Sequence, residues 1–475
     1  MYLLLYICTF EVLHVGEGTV DWRSKLFSGS VKGFPSFDEA TEILENLVDT
    51  YPSLVSRELI GNSFEGRDIY AYRIFGKETT NNPRAPKILL TSLLHGREPV
   101  TLLVALFVMG SLLEQYTSNV TETRYLLSTR ELFVVPFMNP DAYALGSTRG
   151  NLDMRKNRRP TCAGDSASSG VDLNRNFDFF WSNSSSTCAI DYGGEFPFSE
   201  PESQALANFS RTMKFVSAMH LHSYGEFLTY PFNHPNATER VSESHLDYYK
   251  QLAQVMGFSK HGPASKTLKY ATSGEATDWF YGELGTVALA PEIGEERSGF
   301  YPPGSKMKKI AEKNFQRIKY WIYKSGLEIS AVKVSEVAGT EWRRLELVNT
   351  GLSWAGDWKI FTNCHEVSGK NLRNFSIPSN CPAGNDVNKV VCVNEIGLNC
   401  RCFDLTTREG HKIEFGTISN FADEYQEICV AGGVIVSGEK KSSCCGILIS
   451  PLLIAAISLC TLFLIRIVVS SIKPA

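Results

Sequence analysis

The stretch KILLTSLLHGREPVTLLVALF (residues 87–107) places charged residues at an abrupt boundary between two apolar runs. The first run, 87–94, has the length and composition of a buried strand. It ends at His95-Gly96-Arg97-Glu98, and Pro99 opens a second run that suits a helix, where a first-turn proline loses no hydrogen bond. This junction is either a surface connection between two core elements or half of an active site.

Strand-like and helix-like segments alternate on both sides of this junction, from residue 35 to residue 327. The predicted strands are 69–74, 87–94, 131–138, 215–221 and 286–290. The predicted helices are 37–51, 100–116, 200–212, 244–256 and 306–323. Such alternation predicts an α/β domain with a mostly parallel or mixed sheet that helices cover on both faces.

Residues 328–435 have a different character, with short alternating runs, turn signals and no helical pattern, so we predict a small β-sandwich. The order SEV…W…LELVNTG…DWKIFT resembles lamin-tail-like β-sandwich modules. Six cysteines crowd this region: Cys364, Cys381, Cys392, Cys400, Cys402 and Cys429. In an oxidising compartment they predict disulfides whose pairing stays open, and the Cys-x-Cys spacing argues against a zinc knot.

Composition and the N-terminus predict a multidomain, secreted protein. The chain has 475 residues, which exceeds one ordinary core, and its 47 basic and 51 acidic residues form no basic block for nucleic acid. Residues 1–10 are almost wholly apolar and small residues follow, so 1–18 is interpreted as a signal peptide. The sequons at Asn119, Asn183, Asn208, Asn236 and Asn374 predict glycosylation.

The C-terminus predicts a membrane attachment. Residues 446–465 include 20 positions without a charge, enough to span a bilayer as a helix, so we predict a transmembrane segment at 446–470 after a polar stalk at 436–445. The alternative is a cleaved lipid-anchor signal with attachment near Ser442 and Ser443. The missing polar spacer favours the spanning helix. Either reading places the protein at the cell surface or in a secretory-pathway membrane.

Polar clusters follow four of the predicted strands at their carboxyl ends, where open α/β sheets bind ligands. The clusters are His95 with Glu98, Asn139-Pro140-Asp141, His222-Ser223-Tyr224 and Glu292. Their convergence on one edge is the main functional signal. The spacing His-x-x-Glu is weak by itself, because it also occurs at His14…Glu17 and His411…Glu414.

A catalytic zinc ion needs about three protein ligands and an open position for water. His95, Glu98 and His222 supply a two-histidine, one-glutamate set. With this set in view, residues 35–327 resemble the zinc metallocarboxypeptidases of the carboxypeptidase A/B type. The motifs that carry the resemblance are GNSFEGRDI (61–69), HGRE (95–98), NPDAY (139–143), MRKNR (154–158), VDLNRNFD (171–178), FSEPES (198–203), LHSY (221–224), YATSGEATDW (270–279) and PEIG (291–294).

The resemblance implies a role for each matching residue and one Zn²⁺ per catalytic domain. His95, Glu98 and His222 become the zinc ligands. Glu292 becomes the general base that takes a proton from zinc-activated water, and Arg155 stabilises the oxyanion.

Substrate-binding roles follow in the same way. Asn174 and Arg175 match the pair that holds the terminal carboxylate of the substrate, as a planar guanidinium can. Tyr270 matches the tyrosine that closes over the substrate, and Arg97 matches a secondary carboxylate or upstream-subsite contact.

Some of these assignments have neighbours that compete with them. His220 lies on the same strand as the downstream ligand, and Arg158 and Arg159 are substitutes for the oxyanion arginine. The resemblance also implies a disulfide between Cys162 and Cys188, which flank VDLNRNFD and would stabilise that loop by about 3–4 kcal/mol.

Side-chain specificity is predicted from the residue before Asp278-Trp279, which forms the pocket floor in the family. Here it is Thr277, small and uncharged, and GEATDW is similar to the bacterial carboxypeptidase T arrangement of mixed specificity. We expect a roomy apolar pocket with Glu275 at its rim, able to pair with a lysine or arginine head group.

The function expected from these residues is zinc-dependent removal of apolar and basic C-terminal residues from peptides or proteins. No propeptide of the length used by digestive members fits before residue 35, so we expect an enzyme made in active form. Three rivals stay open: an inactive cell-surface binding module, an amidase or isopeptidase on the same scaffold, and a protein whose β-module does the main work.

Overall fold

A computed structural model describes residues 21–326 apart from 78, 80–84, 151, 164–167 and 183–185, together with Leu352 and strand segments between 329 and 438. The predicted signal peptide and transmembrane segment lie outside the described residues, as do Asn183 and Asn374. Those predictions therefore stay predictions.

The domain that carries the candidate site is built on an eight-stranded sheet. Its strands are β1 (Val55–Asn62), β2 (Asp68–Ile74), β3 (Lys87–Thr91), β4 (Glu131–Val135), β5 (Ser217–His220), β6 (Phe227–Thr229), β7 (Lys260–Gly262) and β8 (Val287–Glu292). They lie in the order β1-β2-β4-β3-β5-β8-β6-β7. The central strands β4, β3, β5 and β8 are mutually parallel, while β1, β2 and β6 pair antiparallel with a neighbour. The sheet is thus mixed, as one of the two predicted alternatives had it.

The central strands are buried along their whole length. Every residue of β4 and β5 is buried, as are all but the first residue of β3 and the last of β8. Because successive side chains in a strand point to opposite faces, both faces of the sheet centre must be covered. This explains why these segments appear in the sequence as continuous apolar runs.

Ten helices accompany the sheet in the described part of the chain. They are α1 (Trp22–Phe27), α2 (Phe37–Thr50), α3 (Pro99–Thr117), α4 (Thr121–Thr129), α5 (Pro140–Arg149), α6 (Pro201–Met213), α7 (Glu243–Val255), α8 (Ala264–Thr267), α9 (Ala276–Gly282) and α10 (Gly304–Lys324). The five helices predicted from the sequence are α2, α3, α6, α7 and α10, each within two residues of its predicted ends.

Helix α3 forms the centre of the core on one side of the sheet. It packs against α10 and is buried along nearly its full length because its residues are apolar on all sides. Within the described residues it is the one helix long and apolar enough to cross a membrane, and 83% of its apolar stretch is buried inside the domain. We therefore assign it to the core.

Elements that the sequence did not predict lie mostly at the edges. Strand β1 is exposed over most of its length and shows no clean alternation, so its sequence carries little periodic signal.

Helix α5 begins at Pro140 and is capped by Asn139, whose Oδ1 accepts a hydrogen bond from the N–H of Ala142. Asp141 bonds the hydroxyl of Ser63 at 2.6 Å. The polar cluster after β4 thus stabilises local structure and supplies no metal ligand.

Beyond residue 328 the described residues lie in strands, as predicted for this region, apart from Leu352, whose N–H donates to the carbonyl of Lys324 at 3.1 Å. They are β9 (Ile329–Glu336), β10 (Trp342–Asn349), β11 (Lys359–Thr362), β12 (His365–Ser368), β13 (Val390–Asn394), β14 (Cys400–Asp404), β15 (Lys412–Ser419), β16 (Tyr425–Ala431) and β17 (Val434–Gly438). They form a five-stranded sheet, β17-β16-β15-β10-β9, and a four-stranded sheet, β12-β11-β13-β14. Packing of the two sheets into a sandwich stays a prediction, as do the disulfides there.

Candidate metal centre and substrate site

Sheet topology brings the candidate metal ligands together. Strands β3 and β5 are parallel neighbours, so the segments that follow them, with His95 and His222, leave the sheet at the same edge. Strand β8 lies on the other side of β5 and ends at Glu292. The N–H of His222 donates to the carbonyl of Pro291 at 3.0 Å, and the N–H of Ile293 donates to the carbonyl of His222 at 2.8 Å. Backbone pairing thus sets Glu292 directly beside His222.

The turn that presents His95 and Glu98 requires a glycine between them. A Cβ at Gly96 would lie 2.7 Å from the Cβ of Ala142 and 2.9 Å from the carbonyl oxygen of Met154. Any larger residue would push the turn away from α5. The tight packing also brings Glu98 to the start of α3, where its carboxylate faces back toward His95.

Three buried side chains converge on one point at this edge. Glu98 lies with one carboxylate oxygen 2.7 Å from Nδ1 of His95 and the other 3.2 Å from Nδ1 of His222. One ligand atom from each residue lies within 4.8 Å of the others, and all three residues are buried. Two imidazole nitrogens and a carboxylate oxygen are ligands that Zn²⁺ prefers, and three of them leave a fourth position open. The residues therefore fit a catalytic zinc ion.

Electrostatics around the cluster separate its two glutamates. Burial would raise the pKa of Glu98, but His95 and His222 outweigh it and lower that pKa below its usual range. Burial raises the pKa of Glu292 well above its usual value, and the neighbouring Glu98 raises it further. Two carboxylates whose environments move their pKa values apart are a common arrangement where one acts as ligand or stabiliser and the other moves protons.

Asp172 connects the metal cluster to Arg155, a role that its sequence motif alone did not predict. One carboxylate oxygen lies 3.1 Å from Nε2 of His95, and the other accepts from Nε and Nη2 of Arg155 at 2.9 and 2.7 Å. Burial would raise the pKa of Asp172, but Arg155 and His95 hold it well below the usual value. An anion on the far nitrogen of a ligand histidine fixes the ring and its tautomer. Nη1 of Arg155 lies 3.4 Å from Nδ1 of His95, at the edge of the cluster.

Comparison with known proteins agrees with this geometry. Residues 40–317 match the family model described as zinc carboxypeptidase, which is more than half of the chain. The chain belongs to the zinc carboxypeptidase family.

Three relatives place the domain within that family. The chain is 28% identical to carboxypeptidase B of Bos taurus over 64% of this chain and 73% of that protein. It is 28% identical to the inactive metallocarboxypeptidase ECM14 of Saccharomyces cerevisiae, over 58% and 68% of the two chains. The crystal structure of carboxypeptidase A from Helicoverpa armigera superposes with a TM-score of 0.53 at 27% identity, covering 61% and 73%.

The residues that competed with these assignments have other partners in the zinc carboxypeptidase domain. His220 is fully buried, with Nδ1 2.8 Å from the hydroxyl of Thr91 and its ring against Phe280. Arg159 donates from Nε to Glu200 at 2.8 Å, and Nε of Arg158 lies 3.5 Å from Glu65. His220 is thus a core histidine, and neither arginine lies in the cluster.

The proposed carboxylate-binding pair lies on the segment that follows Asp172. Asn174 and Arg175 form a short 3₁₀ helix at Leu173–Arg175 and are both buried. Nδ2 of Asn174 lies 3.3 Å from Nε2 of His222, so this pair borders the metal cluster. A disulfide joins Cys162 to Cys188, with Cα atoms 4.9 Å apart, and closes the loop that carries the pair.

The predicted specificity residues differ from each other in their surroundings. Thr277 is fully buried, in the first turn of α9. Glu275 does not lie at an open rim as the sequence suggested: it is 6% exposed, with one oxygen 3.2 Å from Nη1 of Arg175 and the other bonded to Nδ2 of Asn233. The reason is that the 274–276 backbone lies directly on the Arg175 segment. Asn233 was missed, because nothing in its local sequence marks it.

Tyr270 and Arg97 complete the predicted set of substrate-binding residues. Tyr270 is 53% exposed, which leaves its ring free of the core. The guanidinium of Arg97 stacks over the ring of Phe300 at 4.6 Å. Burial and the nearby Arg155 lower the pKa of Arg97.

The predicted sequon residues Asn119, Asn208 and Asn236 are exposed, which glycosylation requires.

Proposed function

We propose that this chain is a zinc-dependent exopeptidase that hydrolyses the C-terminal peptide bond of peptides or proteins. The observation that carries the proposal is the buried convergence of His95, Glu98 and His222 within 4.8 Å, with Glu292 on the adjacent strand end. Membership of the zinc carboxypeptidase family supports the same reaction class.

The chain's own residues divide the work of hydrolysis. A bound zinc ion supplies Lewis acidity and lowers the pKa of water to about 7. Glu292 accepts the proton of the attacking water and delivers it to the leaving amine. Arg155, held by Asp172, presents Nη1 toward the developing oxyanion, a contribution typically worth about 3–4 kcal/mol of barrier.

Recognition of a free C-terminus falls to the clamp of Asn174 and Arg175, with Arg97 as a secondary contact. A buried guanidinium binds a carboxylate in preference to an amide, because only the carboxylate brings a negative charge and two acceptor oxygens to the planar cation. Tyr270 closes over the bound substrate. Thr277 and Glu275 select apolar and basic side chains, so replacement of Glu275 by glutamine should change the ratio of rates on basic and apolar substrates.

Location and partners follow from the termini. The signal at 1–18 and the segment 446–470 place the catalytic domain on the extracellular or lumenal side of a membrane, attached through the C-terminal segment. Peptide and protein C-termini are the partners of the catalytic domain. The sequence identifies no partner for the β-module.

One assay tests the reaction class. The purified chain is incubated with peptide libraries that differ only in a free or amidated C-terminus, with zinc or with a chelator. Release of amino acids from free C-termini in the presence of zinc is the expected result. Equal rates on both libraries would remove the exopeptidase assignment.

A catalytically inactive binding module is the second candidate, and one comparison favours it: a relative at 28% identity is described as an inactive metallocarboxypeptidase. This chain retains the three ligands, Glu292 and the clamp, which argues for activity. Binding of free C-termini by the zinc-loaded protein with no turnover would favour the inactive module.

A further inference from the structure

The arginine of the proposed carboxylate clamp already has a carboxylate partner within the protein. Nη1 of Arg175 lies 3.2 Å from Oε1 of Glu275, and it also donates to the carbonyl of Asn174 at 2.6 Å. The side chains of Arg175 and Glu275 are 10% and 8% exposed. The pair is therefore largely removed from water, where an ion pair is weakly screened and an unpaired charge is costly.

Backbone hydrogen bonds on both sides of Glu275 hold it against the clamp. The N–H of Ala276 donates to Oδ1 of Asn174 at 3.0 Å, and the N–H of Phe177 donates to the carbonyl of Gly274 at 3.0 Å. Gly274 has a φ of +62°, and a Cβ there would lie 2.3 Å from the carbonyl oxygen of Arg175. A glycine is thus needed for this close approach, and hydrogen bonds on either side of Glu275 hold its backbone against the segment that carries Asn174 and Arg175.

The second oxygen of Glu275 has one neutral partner. Nδ2 of Asn233 donates to Oε2, and Asn233 is itself fixed by its Oδ1, which accepts from the N–H of Ala264 at 2.8 Å. Asp278 accepts from the N–H of Asn233 at 2.8 Å and adds a second carboxyl to the region. Among these contacts Arg175 is the one cation, so loss of Arg175 would leave Glu275 with an amide partner alone.

We propose that Glu275 occupies Arg175 in the substrate-free enzyme and that the terminal carboxylate of a substrate displaces it. The inference rests on the proposed exopeptidase function. Displaced Glu275 is a buried carboxylate without a cation unless the substrate's own side chain supplies one. A C-terminal lysine or arginine does so, whereas an apolar residue does not. Recognition of the carboxylate and of a basic side chain is therefore coupled through Glu275.

A substitution separates this arrangement from a carboxylate that merely attracts basic side chains. KM and kcat are measured on N-acyl dipeptides ending in leucine or arginine, for the wild type, E275Q and the matched control E283Q on the exposed end of α9. In E275Q the KM for the leucine substrate should fall by about tenfold, because no side-chain carboxylate then competes with the substrate for Arg175. The kcat/KM for the arginine substrate should also fall, because the partner of the basic side chain is lost. E283Q should match the wild type. An unchanged or higher KM for leucine in E275Q overturns the proposal.

A second measurement needs no variant. Calorimetry gives the affinity of the zinc-loaded wild type for leucine, leucinamide, arginine and argininamide. The gain in affinity from the amide to the corresponding acid should be about tenfold larger for arginine than for leucine. Equal gains, or no binding of either acid, overturn the coupling. A chain that shows the coupling but hydrolyses neither dipeptide refutes the proposed function, whereas hydrolysis with equal gains refutes this inference alone.

Discussion

The metal cluster and the carboxylate clamp are adjacent halves of one site, but they are built differently. His95 and His222 follow two neighbouring parallel strands and Glu292 is the last residue of a third, so the pairing of these strands fixes their relative positions. Arg175 and Glu275 lie outside the sheet strands and are held together by side-chain and backbone hydrogen bonds from distant parts of the chain. The sheet itself fixes the position of a site residue at a strand end, whereas the position of a site residue on a loop depends on specific polar partners.

The largest effect should come from removing a ligand in the metal half. His222→Ala leaves two of three ligands, so we expect loss of stoichiometric zinc and of measurable activity. The matched control is His220→Asn, two residues earlier, because His220 bonds Thr91 and no member of the cluster. Metal content after dialysis is the measurement. Full zinc content in His222→Ala, or zinc loss confined to the His220 variant, would contradict the assignment.

Glu292→Gln should retain zinc and lose catalysis, since it removes the proton acceptor and no ligand. We expect kcat to fall by about 10²–10⁴-fold while KM changes little. Steady-state kinetics on a free-C-terminus peptide, with metal content measured on the same sample, gives both quantities. A kcat close to that of the wild type would assign the proton transfer to another group.

Asp172 contacts His95 in the metal half, the oxyanion arginine Arg155 and the N–H of Asn174 in the clamp half, so its replacement should affect both zinc binding and catalysis. Asp172→Asn weakens the contact to His95 and the ion pair to Arg155, and we expect zinc affinity and kcat each to fall by about 10–100-fold. Zinc titration with a competing chelator checks the first effect, and turnover at saturating zinc checks the second. An effect on kcat with zinc affinity intact would limit Asp172 to positioning Arg155.

The last prediction concerns stability rather than activity, at an anchor of the clamp half. Glu202 accepts from Nδ2 of Asn157, and Oδ1 of Asn157 accepts from the N–H of Val171, three residues before Asn174. Burial raises the pKa of Glu202 from 4.5 to about 7. The folded state therefore holds a proton that the unfolded state has lost between these pH values, and stability from this group falls as pH rises from about 4.5 to 7.

Urea unfolding of the wild type and Glu202→Gln over this range tests the anchor. Because glutamine is neutral at every pH, the wild type should lose up to about 3 kcal/mol relative to the variant between pH 4.5 and 8. Exposed Glu195→Gln is the control and should follow the wild type. A stability difference that does not vary with pH would show that Glu202 ionises as it does in the unfolded chain.

The metal half could be predicted from the sequence because its signals are local. Apolar runs of strand length ended at histidine or glutamate, and parallel neighbours in an α/β sheet bring such ends to one edge. His220 and His222 are two residues apart, so the period of a strand puts them on the same face and could not separate them. The structure separates them, since His220 lies within the core beside Thr91 and His222 lies past the end of β5.

The clamp half could be predicted only in part. The motif around Asn174 and Arg175 was found, but the pairing of Glu275 with Arg175 joins residues 100 positions apart in the sequence. No periodicity records such a contact, and a carboxylate beside a pocket was interpreted as facing the substrate. Asn233 and Asp172 were missed as site residues for the same reason, since their roles are defined by the partners that the fold brings to them.

The most direct test of the metal assignment is anomalous diffraction at the zinc edge from crystals of the zinc-loaded protein. The account predicts one peak about 2.0–2.2 Å from Nδ1 of His95, Nδ1 of His222 and a carboxylate oxygen of Glu98. A peak bound elsewhere on the domain, or a cluster that stays without metal at saturating zinc, would contradict it.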